Sequence, residues 1–113
     1  MSKSNRARMP AHYLALWEFQ VRSESVSVFE KIYGPDGDWA QLFRQSPDYL
    51  GTDLIRDLDH SGRYLTIDRW TSRAALHHFK QAHRAAYQTL DQQCEPLTER
   101  ELLLGDFENV DAA

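Results

Sequence analysis

Residues 49–72, YLGTDLIRDLDHSGRYLTIDRWTS, hold two strand-like runs followed at once by a helix start. The runs 49–58 and 63–71 are rich in β-branched and aromatic residues. They flank Asp59-His60-Ser61-Gly62, so they predict a β-hairpin. Ser72 then stands where a short hydroxyl can satisfy a free backbone N–H of a following helix. In the second run, alternation puts Tyr64, Thr66, Asp68 and Trp70 on one face and Leu65, Ile67 and Arg69 on the other.

Upstream, Ser46-Pro47-Asp48 is a turn signal. Before it, Asp36 or Asp38 caps a short helical piece in which Trp39, Leu42 and Phe43 share a face. An earlier helix, begun by Ser23 or Ser25, gathers Val26, Phe29, Ile32 and Tyr33 and ends at Gly34-Pro35. Residues 12–22, HYLALWEFQVR, alternate as a strand, with Tyr13, Ala15, Trp17, Phe19 and Val21 opposite His12, Leu14, Leu16, Glu18, Gln20 and Arg22. Downstream, one long helix is expected from Ser72 to about Cys94, stopped by Pro96, and residues 98–107 supply a last strand.

The order β-α-(short α)-β-β-α-β predicts the α+β class in its ferredoxin-like, split βαβ form: a four-stranded antiparallel sheet with helices on one face. Leu14 and Leu16 make the second face of the first strand apolar as well. An uncovered apolar sheet face needs a partner, and a second copy of the chain is the economical one, so a homodimer through that face is expected. The domain is placed at 12–108, with a disordered basic tail at 1–11 and a frayed end at 109–113.

The 113 residues suit one core, and a net charge of −4 without a basic stripe argues against nucleic acid as a partner. Cys94 is alone and falls on an apolar helical seam, which predicts a buried thiol in a reducing compartment. No run of about 20 apolar residues is present, so no membrane partner is expected, and the N-terminal residues lack a signal-peptide h-region. These features together predict a cytoplasmic protein.

On the long helix, counting 100° per residue from Phe79 collects Ala75, Leu76, Phe79, Ala82, Ala86, Leu90 and Cys94. His83 falls inside this seam, His78 at its edge, and His77 away from it. His83 is the candidate general base, with His78 and Asp68 in reserve; the alternative for His83 is a core histidine bonded to a carbonyl. The histidine spacings do not match the i, i+4 pairs of helical metal sites, so no metal is expected. Trp17, Trp39 and Trp70, with Tyr33 and Phe43, are candidate walls for a small aromatic molecule, or simply core. Arg56, or an arginine across the dimer, is the candidate partner of Asp68 in a structural ion pair, and Arg56 is also the group that would steady an anionic ligand.

The runs FEKIYGPDGDWAQLF (Phe29 to Phe43), YLGTDLIRD (Tyr49 to Asp57) and RYLTIDRWTS (Arg63 to Ser72) resemble the antibiotic biosynthesis monooxygenase superfamily over roughly residues 12–107. The strand ending in Trp70 just before Ser72, and the Tyr49 to Gly51 glycine, carry most of that likeness. The resemblance implies a dimeric α+β barrel and, among its members, cofactor-independent oxygenases of phenolic or quinol-type compounds. A non-catalytic binding or scaffold dimer of the same fold is the alternative. A haem-binding or haem-degrading protein is the third reading. The haem-degrading members use an Asn on the first strand with a Trp and a His on the long helix, whereas this chain has only Asn5 and Asn109 and no Trp between Ser72 and Cys94. No cofactor is therefore expected.

Overall fold

The computed structural model describes residues 12–110; the expected tail at 1–11 and residues 111–113 lie outside the described residues. Strand β1 (Tyr13–Val21) leads through a 3-10 turn into helix α1 (Val26–Tyr33) and helix α2 (Asp38–Phe43). Strands β2 (Tyr49–Arg56) and β3 (Arg63–Trp70) form the expected hairpin. Helices α3 (Arg73–Ala82) and α4 (Arg84–Cys94), and then strand β4 (Thr98–Glu108), complete the chain. The sheet order is β2-β3-β1-β4 with every neighbouring pair antiparallel, which is the ferredoxin-like arrangement.

Local chemistry explains the hairpin. Gly62 has φ +80°, and a Cβ there would lie 2.8 Å from the Val21 carbonyl oxygen, so the turn needs glycine twice over. The Asp57 carboxylate accepts the backbone N–H groups of Asp59 and His60 and pairs with Arg63 at 2.8 Å. Those hydrogen bonds, with Arg63, pull its pKa down to about 2. At the far end of β3, the Ser72 hydroxyl accepts the Ala75 N–H at 3.0 Å, as its position predicts. Ser25 and Gly37, by contrast, are the N-caps of α1 and α2, and neither helix start has a side-chain cap. The expected hydroxyl and carboxylate caps at Ser23, Ser25, Asp36 and Asp38 are thus not made. Asn109, expected to fray, donates its N–H to the His12 carbonyl and so prolongs the β1–β4 pairing.

One element is corrected. The helix after Ser72 breaks at His83, whose φ/ψ of −119°/34° is not helical. The break shifts the side chains near it, whereas Leu90 and Cys94 farther on face the core as expected. Ala82 and Ala86, expected in the seam, are exposed, while Tyr87 turns inward and meets Trp39 edge-on at 5.0 Å.

The core fills the space between the helices and one sheet face in two clusters. Trp70 and Phe79, with Phe43, Leu76 and Tyr13, form one. Phe29, Tyr33, Phe19, Tyr64 and Cys94 form the other, and Trp39 packs against both. The opposite sheet face has no helix on it. It presents Leu14, Leu16, Leu65 and Ile67, all half-buried, and the more exposed Ile55, Leu102 and Phe107.

Candidate functional site

A cavity lies where the two core clusters leave a gap between sheet and helices. The sheet contributes Trp17 and Phe19 from β1, Thr52 from β2, Thr66 and Asp68 from β3, and Glu101 from β4. The helices contribute Tyr33, Trp39, Phe43, Tyr87 and Asp91. Cross-strand register accounts for the sheet side, since Thr52 stands opposite Asp68, and Trp17 opposite Thr66. The cavity volume is about 70 Å³. One water needs roughly 10–15 Å³ on the same scale, so the space suits a few waters or one compact ring.

Asp68 is the chemical centre of this floor. Its Oδ1 accepts the Thr52 hydroxyl proton at 2.7 Å, and the Tyr49 hydroxyl lies 2.6 Å from Thr52 Oγ1. With the Thr52 proton committed to the carboxylate, Tyr49 donates to Thr52, giving a directed chain Tyr49→Thr52→Asp68. Among the described residues, Asp68 Oδ2 takes no hydrogen bond. Burial raises the Asp68 pKa to about 6, against the opposing pulls of the Thr52 hydrogen bond and the Lys80 charge. A carboxylate tuned to that range is mostly ionised at neutral pH and is a competent base. On the opposite wall, the Trp39 Nε1–H is buried and lies beside the Tyr33 hydroxyl and the Cys94 thiol.

The structure thus brings together Trp17, Trp39, Tyr33, Phe43 and Asp68 of the sequence candidates. The others are placed elsewhere. Trp70, expected on the cavity wall, is fully buried in the core among Phe43, Tyr49 and Phe79, because α2 and α3 close over the end of β3. Arg56 does not pair with Asp68: it binds Glu30 on α1 at 2.7 Å and reaches the Tyr64 hydroxyl. Its register partner Tyr64 lies four residues along β3 from Asp68, roughly 13 Å at 3.3 Å per residue. His83 stacks on Phe79 at 4.4 Å and is not part of the cavity lining, and His78 is exposed.

Sequence reasoning missed Phe19, Thr52, Thr66, Tyr87, Asp91 and Glu101. Thr52 and Thr66 were findable by alternation, as polar residues on inward strand faces. Tyr87 was hidden by the helix break. Glu101 follows an irregular register on β4, where two pairing shifts defeat simple alternation.

A ferredoxin-like sheet with an aromatic cavity under its helices defines the class of the chain as an α+β domain. Residues 13–90 match the family model for antibiotic biosynthesis monooxygenase, and the chain belongs to that family. Among solved structures, a variant of SnoaB, a cofactor-independent oxygenase from Streptomyces nogalater, is 18% identical, with 88% of this chain and 91% of that one covered and a TM-score of 0.61. Rv0793 from Mycobacterium tuberculosis is 19% identical over 88% and 96% of the two chains, with a TM-score of 0.62. A variant of MhuD with two manganese protoporphyrin IX molecules per active site is 22% identical over 87% and 94%, with a TM-score of 0.64. At these identities the likeness shows the fold. Among curated proteins, none matches the chain in sequence.

The residues present do not fit a haem. No histidine or cysteine lines the cavity to hold an iron, and its volume suits one ring rather than a macrocycle.

Proposed function

We propose that the chain is a monooxygenase-type enzyme that oxidises a small phenolic or quinol-type compound without a bound cofactor. The observation that carries this reading is Asp68: a carboxylate with a free oxygen, a raised pKa and a supporting hydroxyl chain, set beneath aromatic walls. Asp68 Oδ2 removes the phenolic proton. The electron-rich anion then reduces molecular oxygen, one oxygen atom entering the substrate and the other leaving as water, with both further electrons supplied by the substrate. The aromatic walls keep water out.

Oxygen uptake with a panel of single-ring hydroquinones and substituted phenols tests this. Uptake is expected for the wild type and is lost, by about a hundredfold or more, in Asp68→Asn. His83→Ala is expected to retain most of it, because His83 lies outside the cavity lining. No uptake with any compound, or uptake indifferent to Asp68→Asn, overturns the reading.

A binding module without turnover is the second reading, favoured because no cation among the described residues lines the cavity to balance a phenolate. Saturable quenching of tryptophan fluorescence without oxygen uptake would support it. The proposal also includes a homodimer packed through the helix-free sheet face, supported by the apolar character of Leu14, Leu16, Leu65 and Ile67. A cytoplasmic setting belongs to the same proposal, supported by the free buried thiol of Cys94. Among the described residues no helix is long and apolar enough to cross a membrane.

A further inference from the structure

The charges that line the cavity are of one sign. Among the described residues, its lining contains three carboxylates, Asp68, Asp91 and Glu101, and no lysine, arginine or histidine. None of the three takes part in an ion pair among the described residues. The contrast with the rest of the fold is sharp. Glu18, Glu30, Asp36, Asp53, Asp57 and Asp106 each hold an arginine partner.

The carboxylates act on one another and on the space between them. Burial raises the Glu101 pKa first, and the negative charges of Asp91 and Glu95 raise it further. The Tyr87 hydroxyl is pushed up to about 12 by burial and then by Asp91, Asp68 and Glu101 together. Lys80 and Arg84 lie outside the lining, on the outer side of Tyr87 and Asp91, with Lys80 Nζ 5.2 Å from the Tyr87 ring centre. Six aromatic side chains, Trp17, Phe19, Tyr33, Trp39, Phe43 and Tyr87, wall the same cavity, and the faces of such rings attract cations.

We infer that the cavity is built for an aromatic ligand that carries an ammonium group, with the ring over Asp68 and the ammonium at Asp91 and Glu101. This rests on the proposed phenol-oxidising site and names its substrate class. It also resolves a difficulty in that proposal. A phenolate formed beside three carboxylates is offset by the protein only through the Lys80 charge outside the lining, and a cationic arm on the substrate adds to it. Asp91 and Glu101 are both exposed, as groups at the mouth of such a cavity would be, while Asp68 is half-buried at its floor.

The test compares three phenols of similar size: tyramine, neutral para-ethylphenol and the anion para-hydroxyphenylpropionate. Affinities come from calorimetry or tryptophan quenching at neutral pH and low salt, with oxygen uptake recorded on the same solutions. Tyramine is expected to bind about tenfold or more tightly than para-ethylphenol, with the propionate weakest, and added salt should narrow the gap. The double variant Asp91→Asn/Glu101→Gln is expected to bring tyramine to within about threefold of para-ethylphenol. Both positions are exposed and unpaired, so the variant removes repulsion and should fold; circular dichroism checks it. Propionate binding as tight as tyramine, an amine preference that survives the double variant, or no binding by any of the three overturns the inference. Selective tyramine binding, with no oxygen uptake from tyramine or from the quinol panel, sustains the amine site and overturns the monooxygenase reading. Uptake that ignores the charge of the substrate does the reverse.

Discussion

Asp68 is held between burial, which raises its pKa, and the Thr52 hydroxyl, which lowers it. The folded-state value of about 6 exceeds the ordinary 3.8, so between those pH values the folded chain keeps a proton that the unfolded chain has lost. The contribution of this group is therefore fully present below pH 3.8 and is lost as pH rises through about 6. Asp68→Asn should remove that loss: matched to wild type near pH 4, it should be more stable at neutral pH by roughly 1–3 kcal/mol in denaturant titrations. An equal gap at both pH values would show that burial does not govern this carboxylate. Thr52→Val deletes the opposing hydrogen bond. The acidic limb of the pH–rate profile should then move upward by about one unit, because less pull remains to hold the carboxylate ionised. Alternation on β3 made Asp68 and Trp70 legible as neighbours on one inward face. It could not separate them, because the difference between cavity floor and solid core depends on which helix closes over each end of the strand.

The helix after Ser72 shows what periodicity can and cannot carry. Its start was legible because a cap is local chemistry: a hydroxyl and an N–H three residues on. Ser72→Ala should cost about 1 kcal/mol and lower the midpoint of thermal unfolding by roughly 4–8 °C, with Ser72→Asp restoring most of it. The break at His83 has no Pro or Gly to announce it. It appears in the structure as a turn that brings Tyr87 onto Trp39 and stacks His83 on Phe79. Exposed Ala86 offers a discriminating substitution. Ala86→Lys should change stability by less than about 0.5 kcal/mol in a chemical melt, whereas a straight helix would bury the lysine at far greater cost.

At the scale of the whole molecule, two faces of one sheet have different tasks. The inner face is covered by helices and holds the cavity. The outer face is apolar through β1 and β3 but remains uncovered, and its ion pairs, Asp53 with Arg69 and Glu18 with Arg63, sit among those apolar residues. The proposed dimer buries this surface. Wild-type chain should sediment at twice the monomer mass, and Ile67→Glu should shift it to the monomer without changing the helical signal in circular dichroism. A monomer in both cases would leave the sheet face needing another cover. The tenfold preference for a cationic phenol belongs to the opposite face, so it should survive in the Ile67→Glu monomer if the cavity is complete within one chain.

Strand alternation, turn glycines and a single serine cap were enough to specify the ferredoxin-like order and the inward faces of β1 and β3, because these depend on neighbours within a few residues. The apolar outer face was legible for the same reason. The cavity was legible only in part. Trp17, Trp39, Tyr33, Phe43 and Asp68 were visible as candidates, but their meeting with Thr52, Tyr87, Asp91 and Glu101 was not. That assembly depends on a helix break, on β4 register shifts and on which arginine reaches which carboxylate. Arg56 is the plainest case: two charges that looked complementary along the sequence are separated by the sheet register, and the Glu30 carboxylate on α1 takes the guanidinium instead.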